Sequence, residues 1–372
     1  MRFALTSLLL FSLSAGGAGW AQGSDEICRV AETLPPPESG QPAAEMNALF
    51  DLRGPGWTGA DSTYSVPLPD GRTVWLFSDT FLGVVDDRGG RNRFSPLVNN
   101  TLVVQDGTKL TTLHGGDPTL PASFFPSPTG GKDDWYWVYD GTVESTAGGD
   151  KLRVFLLHFS RSGAGQFGFQ WRGNALATVS LPDLTLESIV PVTGEGGVSW
   201  GAALMETSEH SYVYGTEDLG DDKYMHLARV TRDGLTGSWE FWDGSDWSTD
   251  PAASARLLHG VANEYSVTAH DGGYVLVTMD TSTTFSPDLV AYTACDPQGP
   301  WENRTLLYRT PESGQGDLIT YNAHAHPQLT DERGWVVSYN VNSRTFGDLF
   351  LDATIYRPRF IRVPFEEVPN TE

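Results

Sequence analysis

The chain has 372 residues, enough for two average domains or for one large all-β unit. Its 47 Asp and Glu against 24 Lys and Arg give a formal net charge of −23, which argues against nucleic acid or an anionic membrane surface as a partner and suits a neutral or cationic substrate. No C-x-x-C, H-E-x-x-H or P-loop occurs, so zinc and nucleotide chemistry have no motif to rest on, and no cofactor is required.

The chain opens with MRFALTSLLLFSLSAGGAGWA, a basic start at Arg2, an apolar run from Leu8 to Leu13 and small residues ending at Ala21. This pattern predicts a secretory signal over residues 1–21 whose apolar core is too short to span a bilayer. The expected protein is secreted or periplasmic, without membrane insertion. Residues 22–44, with Pro35-Pro36-Pro37, read as an extended arm without a core of its own. Cys28 and Cys295 are the only cysteines. In an oxidising compartment one bridge between them is the default, and two separate buried thiols are the alternative.

The stretch from 61 to 82, DSTYSVPLPDGRTVWLFSDTFL, alternates apolar and polar residues about the turn Pro69-Asp70-Gly71 and predicts a β-hairpin. If Leu68 pairs with Arg72, Asp61 faces Asp79. Like charges directly opposed across a ladder are destabilising, so the pair contributes nothing to folding. The functional reading is two catalytic carboxylates with separated pKa values. The alternative is two turn-end aspartates neutralised by an arginine such as Arg91 or Arg93.

The same construction recurs at positions 141, 202, 265 and 325, after the first at 64, with spacings of 60 to 77 residues. Each unit opens with a hairpin and adds one or two strands. Examples are LATVSLPDLTLESI, MHLARVT with WEFWDG, LVAYTAC with TLLYRT, and ATIYRPRFIRVPF. Radial repetition of this kind predicts an all-β fold, a five-bladed β-propeller over residues 45–366, with 367–372 as a tail. Two packed sandwiches are the alternative. Ring closure requires the arm to add a strand to the last blade, and the bridge to Cys295 holds that arm near the fourth.

First strands of a propeller line its channel, so their starts and the ends of second strands gather at one mouth. Those positions hold Asp61 and Asp79, Asp140 and His158, Trp200 with Glu217 and Asp218, Asn263 with Glu264 and Asp280, and Tyr321, Asn322, His324, His326, Asn340 and Asn342. Carboxylates and amides bind hydroxyls, and aromatic faces pack on sugar rings, so this mixture suits a carbohydrate. Hydrolysis needs one carboxyl to protonate the leaving oxygen and another as base or nucleophile. Asp61 and Asp79 are the first pair, with Glu264 and Asp140 in reserve. Asp140 and Glu264 have duller alternatives, a turn and an arginine contact. Trp200 is read as a platform, while Trp75 and Trp135 pack between blades. His324 and His326 could ligate an ion or be satisfied by ordinary hydrogen bonds, and the oxygen-rich rim leaves calcium in the channel as an option. A non-catalytic glycan-binding propeller and an exported protein-interaction scaffold are the rivals to an enzyme.

At GWTGADSTYSVPLPDGRTVWLFSDTFLG, SPLVNNTLVVQ and AHAHPQL with WVVSYNVNS, the chain resembles exported bacterial propellers classed as domains of unknown function. Part of that group is associated with endo-D-arabinanase activity, as in glycoside hydrolase family 183, and is similar to the wider clan of arabinanases and β-xylosidases. The resemblance covers most of residues 50–365. It implies a hydrolase of an arabinofuranose-containing or related polysaccharide and places the paired acids on Asp61 and Asp79; a monomer is expected.

Overall fold

The computed structural model of the chain describes residues 28–165 and 167–364. The expected signal segment 1–21 and tail 367–372 lie outside the described residues. The founding hairpin forms where its turn chemistry requires. The Leu68 N–H donates to the Arg72 carbonyl at 2.8 Å and the Gly71 N–H to the Leu68 carbonyl at 3.0 Å. Gly71 sits at φ +88°, a conformation glycine adopts without strain. Alternating residues of the two arms then pair from Pro67 with Thr73 to Tyr64 with Leu76.

Five antiparallel sheets follow from this pattern and form a five-bladed β-propeller. Blade one consists of Gly56–Pro67, Thr73–Gly83, Thr101–Asp106 and Lys109–Leu113. Blade two uses Asp134–Thr146, Gly149–Arg161, Phe169–Ser180 and Thr185–Val192. Val198–Glu206, His210–Asp218, Lys223–Thr231 and Glu240–Trp242 make blade three, and Tyr265–His270, Gly273–Met279, Asp288–Ala294 and Glu302–Arg309 make blade four. Blade five takes Leu318–Ala325, Trp335–Ser343 and Pro358–Val363, and its fourth strand is Gln41–Pro42 from the arm. First strands of successive blades touch around the whole ring.

Closure is therefore made at the outer edge of blade five, where Gln41 pairs with Arg362. The arm reaches that edge along blade four. The Arg29 N–H donates to the Asp271 carbonyl at 2.9 Å, and Cys28 is disulfide-bonded to Cys295, across a sequence separation of 267. A short helix, Ala44–Leu49, which sequence periodicity did not signal, then delivers Phe50 between blades five and one. There the Phe50 ring lies 4.9 Å from that of Trp75 and 5.2 Å from that of Phe360, with Trp57 and Phe77 in the same cluster. Burying one phenylalanine of this kind contributes about 1.5–3 kcal/mol.

One expected strand is shorter than its sequence suggests. The last outer strand begins at Pro358, not near Ala353, because Tyr356 adopts φ +66° and residues 353–357 are drawn over blade one. The Arg91 guanidinium draws them there, donating to the carbonyls of Leu349 (2.7 Å), Ala353 (3.0 Å) and Ile355 (3.1 Å) and to that of Thr58 (2.7 Å). Gly59 is required beneath this crossing, since a Cβ there would lie 2.1 Å from an Arg91 nitrogen and 2.3 Å from the Tyr356 carbonyl oxygen.

Candidate active site

The two aspartates lie where the hairpin ladder opens. Ala60 still pairs with Thr80 in the register that the turn sets, but Ser62 pairs with Phe77, and Asp61 and Asp79 form no ladder pair of their own. Ser62 and Thr63 take φ values of +69° and +71°. A bulge redirects side chains and commonly marks a functional site. Asn340, buried and donating to Thr63 Oγ1 at 3.0 Å, pins this distortion. Asn340 is therefore a support for the bulge, not a rim contact for substrate.

Both aspartates are half-buried, and each has one oxygen held by dedicated donors. Asp61 Oδ2 accepts from the Tyr321 hydroxyl at 2.8 Å and the Tyr356 hydroxyl at 2.9 Å, while its Oδ1 is buried without a hydrogen-bond partner. Asp79 Oδ1 accepts from Trp137 Nε1 at 2.8 Å and Asn99 Nδ2 at 3.0 Å. Among the described residues no arginine pairs with either. Arg91 spends its donors on carbonyls and on the Thr58 hydroxyl, and Arg93 lies over Phe94. Burial first, and then the charge of Asp79, pushes Asp61 up to about 7 against the pull of its two phenols. Burial likewise raises Asp79 to about 6, opposed by the Trp137 and Asn99 donors and the Arg161 charge. The two titrations are linked, because the Asp79 charge disfavours ionisation of Asp61.

A third carboxyl joins them through serine. The Ser62 hydroxyl is 2.8 Å from Ser78 Oγ and 3.1 Å from Glu264 Oε1, and Ser78 Oγ accepts from the Val138 N–H at 3.0 Å. Burial, followed by the charge of Asp61, holds the Glu264 carboxyl well above its ordinary range. His324 Nε2 lies 3.6 Å from Glu264 Oε2, and its ring packs at a tilt against Tyr64, with centroids 4.0 Å apart. Burial, followed by the His326 charge, lowers the His324 pKa well below 6.5, so this imidazole is neutral. Burial thus disfavours charge on both Glu264 and His324 beside the aspartate pair.

Several residues expected at the mouth do other work. Trp200 is fully buried among Trp239, Phe241 and His226, so it is core and not a platform. Asp140 accepts from the Gly141 N–H and from the Leu204 N–H of blade three, both at 2.8 Å, and ties two blades together. Burial raises it to about 7 without making it part of the pair. Both ring nitrogens of His326 are engaged, at 2.6 Å with Ser65 Oγ and 2.9 Å with Ser338 Oγ, so it has no lone pair to offer an ion. Among the described residues no group of three or more His, Cys, Asp or Glu is placed to hold a metal. Asn322 is 9% exposed at φ +56°, beside the irregularity that turns Tyr321 toward Asp61.

The family described as Domain of unknown function (DUF5005) matches residues 44–365. The chain belongs to this family. Two curated relatives of this DUF5005 chain are fungal. Notoamide biosynthesis cluster protein J of Aspergillus sp. (strain MF297-2) is 31% identical over 126 residues, covering 32% of this chain and 33% of that protein. Its counterpart J' from Aspergillus versicolor is 34% identical over 114 residues, covering 29% and 30%. The match spans about a third of each relative's length. Among solved structures, a Bacteroides ovatus ATCC 8483 protein described as a "putative hydrolase" superposes with a TM-score of 0.73 at 23% identity, covering 87% of this chain and 89% of that one. The α-L-arabinofuranosidase of Podospora anserina superposes at 0.50 with 12% identity, over 90% and 98% of the two chains. A family 43 arabinoxylan arabinofuranohydrolase from Bacillus subtilis does so at 0.50 with 15% identity, over 86% and 67%. These likenesses establish the fold that the DUF5005 chain shares with glycoside hydrolases.

Sequence reasoning missed Tyr356, Asn99, Trp137, Ser62 and Ser78 of the DUF5005 site. Trp137 lay in view, since DWYWVYDG alternates and residue 137 falls on the face opposite Tyr136. Asn99 adjoins a short strand, Leu97–Val98, that pairs with Thr80 and Phe81 next to Asp79. Nothing local marks Tyr356, because its position depends on Arg91, more than 260 residues earlier.

Proposed function

We infer that this chain is an exported glycoside hydrolase acting on an arabinofuranose-containing or related polysaccharide as a monomer, with Asp61 and Asp79 as its acid and base or nucleophile. The observation that carries the reading is the electrostatic asymmetry of the pair. An ionised oxygen buried without a partner is costly, so the proton is assigned to Asp61, whose Oδ1 is in that position and whose carboxyl is pushed up by burial and the Asp79 charge. Asp79 has two N–H donors on one oxygen, which suits it to remain charged.

In the proposed reaction, Asp61 gives its proton to the glycosidic oxygen as the bond to the anomeric carbon breaks. Asp79 attacks that carbon or removes a proton from the attacking water. The phenols of Tyr321 and Tyr356 stabilise the carboxylate that Asp61 becomes. No cofactor takes part. The fold shared with an α-L-arabinofuranosidase and an arabinofuranohydrolase supports the sugar class, as does the resemblance to endo-D-arabinanases. The test is product release by the mature protein from D-arabinans, L-arabinans, arabinogalactan and xylans. Sugar released from an arabinofuranose-containing glycan supports the assignment. Binding of such a glycan with no product at any pH between 5 and 8 makes the protein a glycan-binding propeller instead.

A further inference from the structure

Blade two carries a concavity on its side toward blade three, lined by none of the residues that hold Asp61 or Asp79. It has a volume of about 470 Å³, within the roughly 300–1,000 Å³ common for ligand sites, and is walled by Tyr136, His158, Trp171, Arg172, Val192 and Glu195. It lies at the same end of the blade as the catalytic pair. Tyr136 and Trp137 are consecutive residues near the start of the first strand, and Trp137 holds Asp79 while Tyr136 lines the cavity. Asn100, next to the Asp79 ligand Asn99, donates to the Tyr136 carbonyl at 2.9 Å, so one backbone segment braces both sites.

The chemistry of the walls is balanced. Among the described residues Arg172 and Glu195 form no ion pair, although both line the cavity and both are exposed. Arg172 is oriented by Ser160 Oγ at 2.5 Å, and His158 is engaged by Asp134 at 3.0 Å. An unpaired guanidinium offers donors, an unpaired carboxylate offers acceptors, and the half-buried Trp171 offers a ring beside them. An anion would meet Glu195, and a cation would meet Arg172. A neutral molecule rich in hydroxyls, with an apolar face for the indole, satisfies all of these groups. The inter-blade wall is firm, because Asn174 Nδ2 donates to the carbonyls of Thr193 (2.7 Å) and Val198 (3.0 Å), and Gly194 packs against Trp171.

We propose that this blade-two cavity is a second saccharide-binding site, which holds an oligosaccharide segment at the same mouth as Asp61 and Asp79. The proposal concerns binding and stands apart from hydrolysis, although the choice of sugars tested rests on the proposed function. The experiment is calorimetric titration of the full mature chain carrying Asp79→Asn, so that ligand is not consumed, with arabino-, xylo- and cello-oligosaccharides of two to six units. The same titration is made after adding Trp171→Ala or Arg172→Ala. Each added change is expected to weaken binding of the longer oligosaccharides at least tenfold and to leave that of a disaccharide within threefold. Arg172 is exposed, so its replacement tests the cavity without threatening the fold. Oligosaccharide binding that neither change alters, or no binding of any saccharide, overturns the proposal. A wild-type protein that hydrolyses nothing but binds in an Arg172-dependent manner would refute only the catalytic reading.

Discussion

Replacing Asp61 with Asn should make the protein more stable at pH 8 and leave it unchanged at pH 4. Folding moves this carboxyl from the 3.8 of an ordinary aspartate to about 7, so the unfolded chain loses the proton near pH 4 while the folded protein keeps it to about 7. The folded state therefore binds more protons across that window. The stability associated with the group is complete below about pH 4 and is lost as pH rises through 7. At about 1.36 kcal/mol per pH unit the gap corresponds to a ceiling of roughly 4 kcal/mol. Part of it comes from the neighbouring Asp79, and partial contact with solvent reduces it further, so a gain of about 1–3 kcal/mol is expected. An asparagine oxygen still accepts from Tyr321 and Tyr356, so the substitution removes the charge and keeps the acceptor. Urea unfolding at pH 4 and pH 8, with the disulfide intact, measures the difference. Equal destabilisation at both pH values would refute the reasoning, because it would show that Asp61 is held for structure and not against its own electrostatic preference.

Other expectations follow from neighbouring residues. Tyr356→Phe removes one of two hydrogen bonds to the charged form of Asp61, worth about 1.5–3 kcal/mol, so the alkaline limb of the pH–rate profile should move up by about one to two pH units. Asp140→Ala leaves the Leu204 N–H without its acceptor and should lower stability by about 1–3 kcal/mol in urea unfolding, with kcat within threefold of wild type. Joint replacement of Cys28 and Cys295 by Ser removes a covalent closure and should lower stability by about 2–4 kcal/mol, read as an earlier urea midpoint.

The legible parts of this protein are those governed by local chemistry. The turn Pro69-Asp70-Gly71 set the hairpin register, and a period of about 60 residues exposed the blades. The arm before Asp51 had to supply a missing strand. All three are properties of short segments or of simple repetition. The site was legible in its centre, where two carboxylates at one end of a hairpin served no folding purpose. It was opaque in its surroundings, because Tyr356 is placed by Arg91 from a distant part of the chain and the bulge at Ser62 and Thr63 breaks the alternation on which strand reading depends. Trp200 was misjudged for a related reason, whereas for His326 and Asp140 the plainer of the two readings holds. A polar or aromatic residue at a strand start can equally turn into the space between blades, and only packing decides which.

The most direct measurement is kcat/KM of wild type, Asp61→Asn and Asp79→Asn on a cleaved glycan, with binding of the same glycan followed in parallel. Each variant should lose roughly 10²–10⁴-fold in kcat/KM while still binding, as expected when an acid or base that acts in the transition state is removed. Activity within tenfold of wild type in either folded variant would contradict the assignment of that aspartate to the reaction.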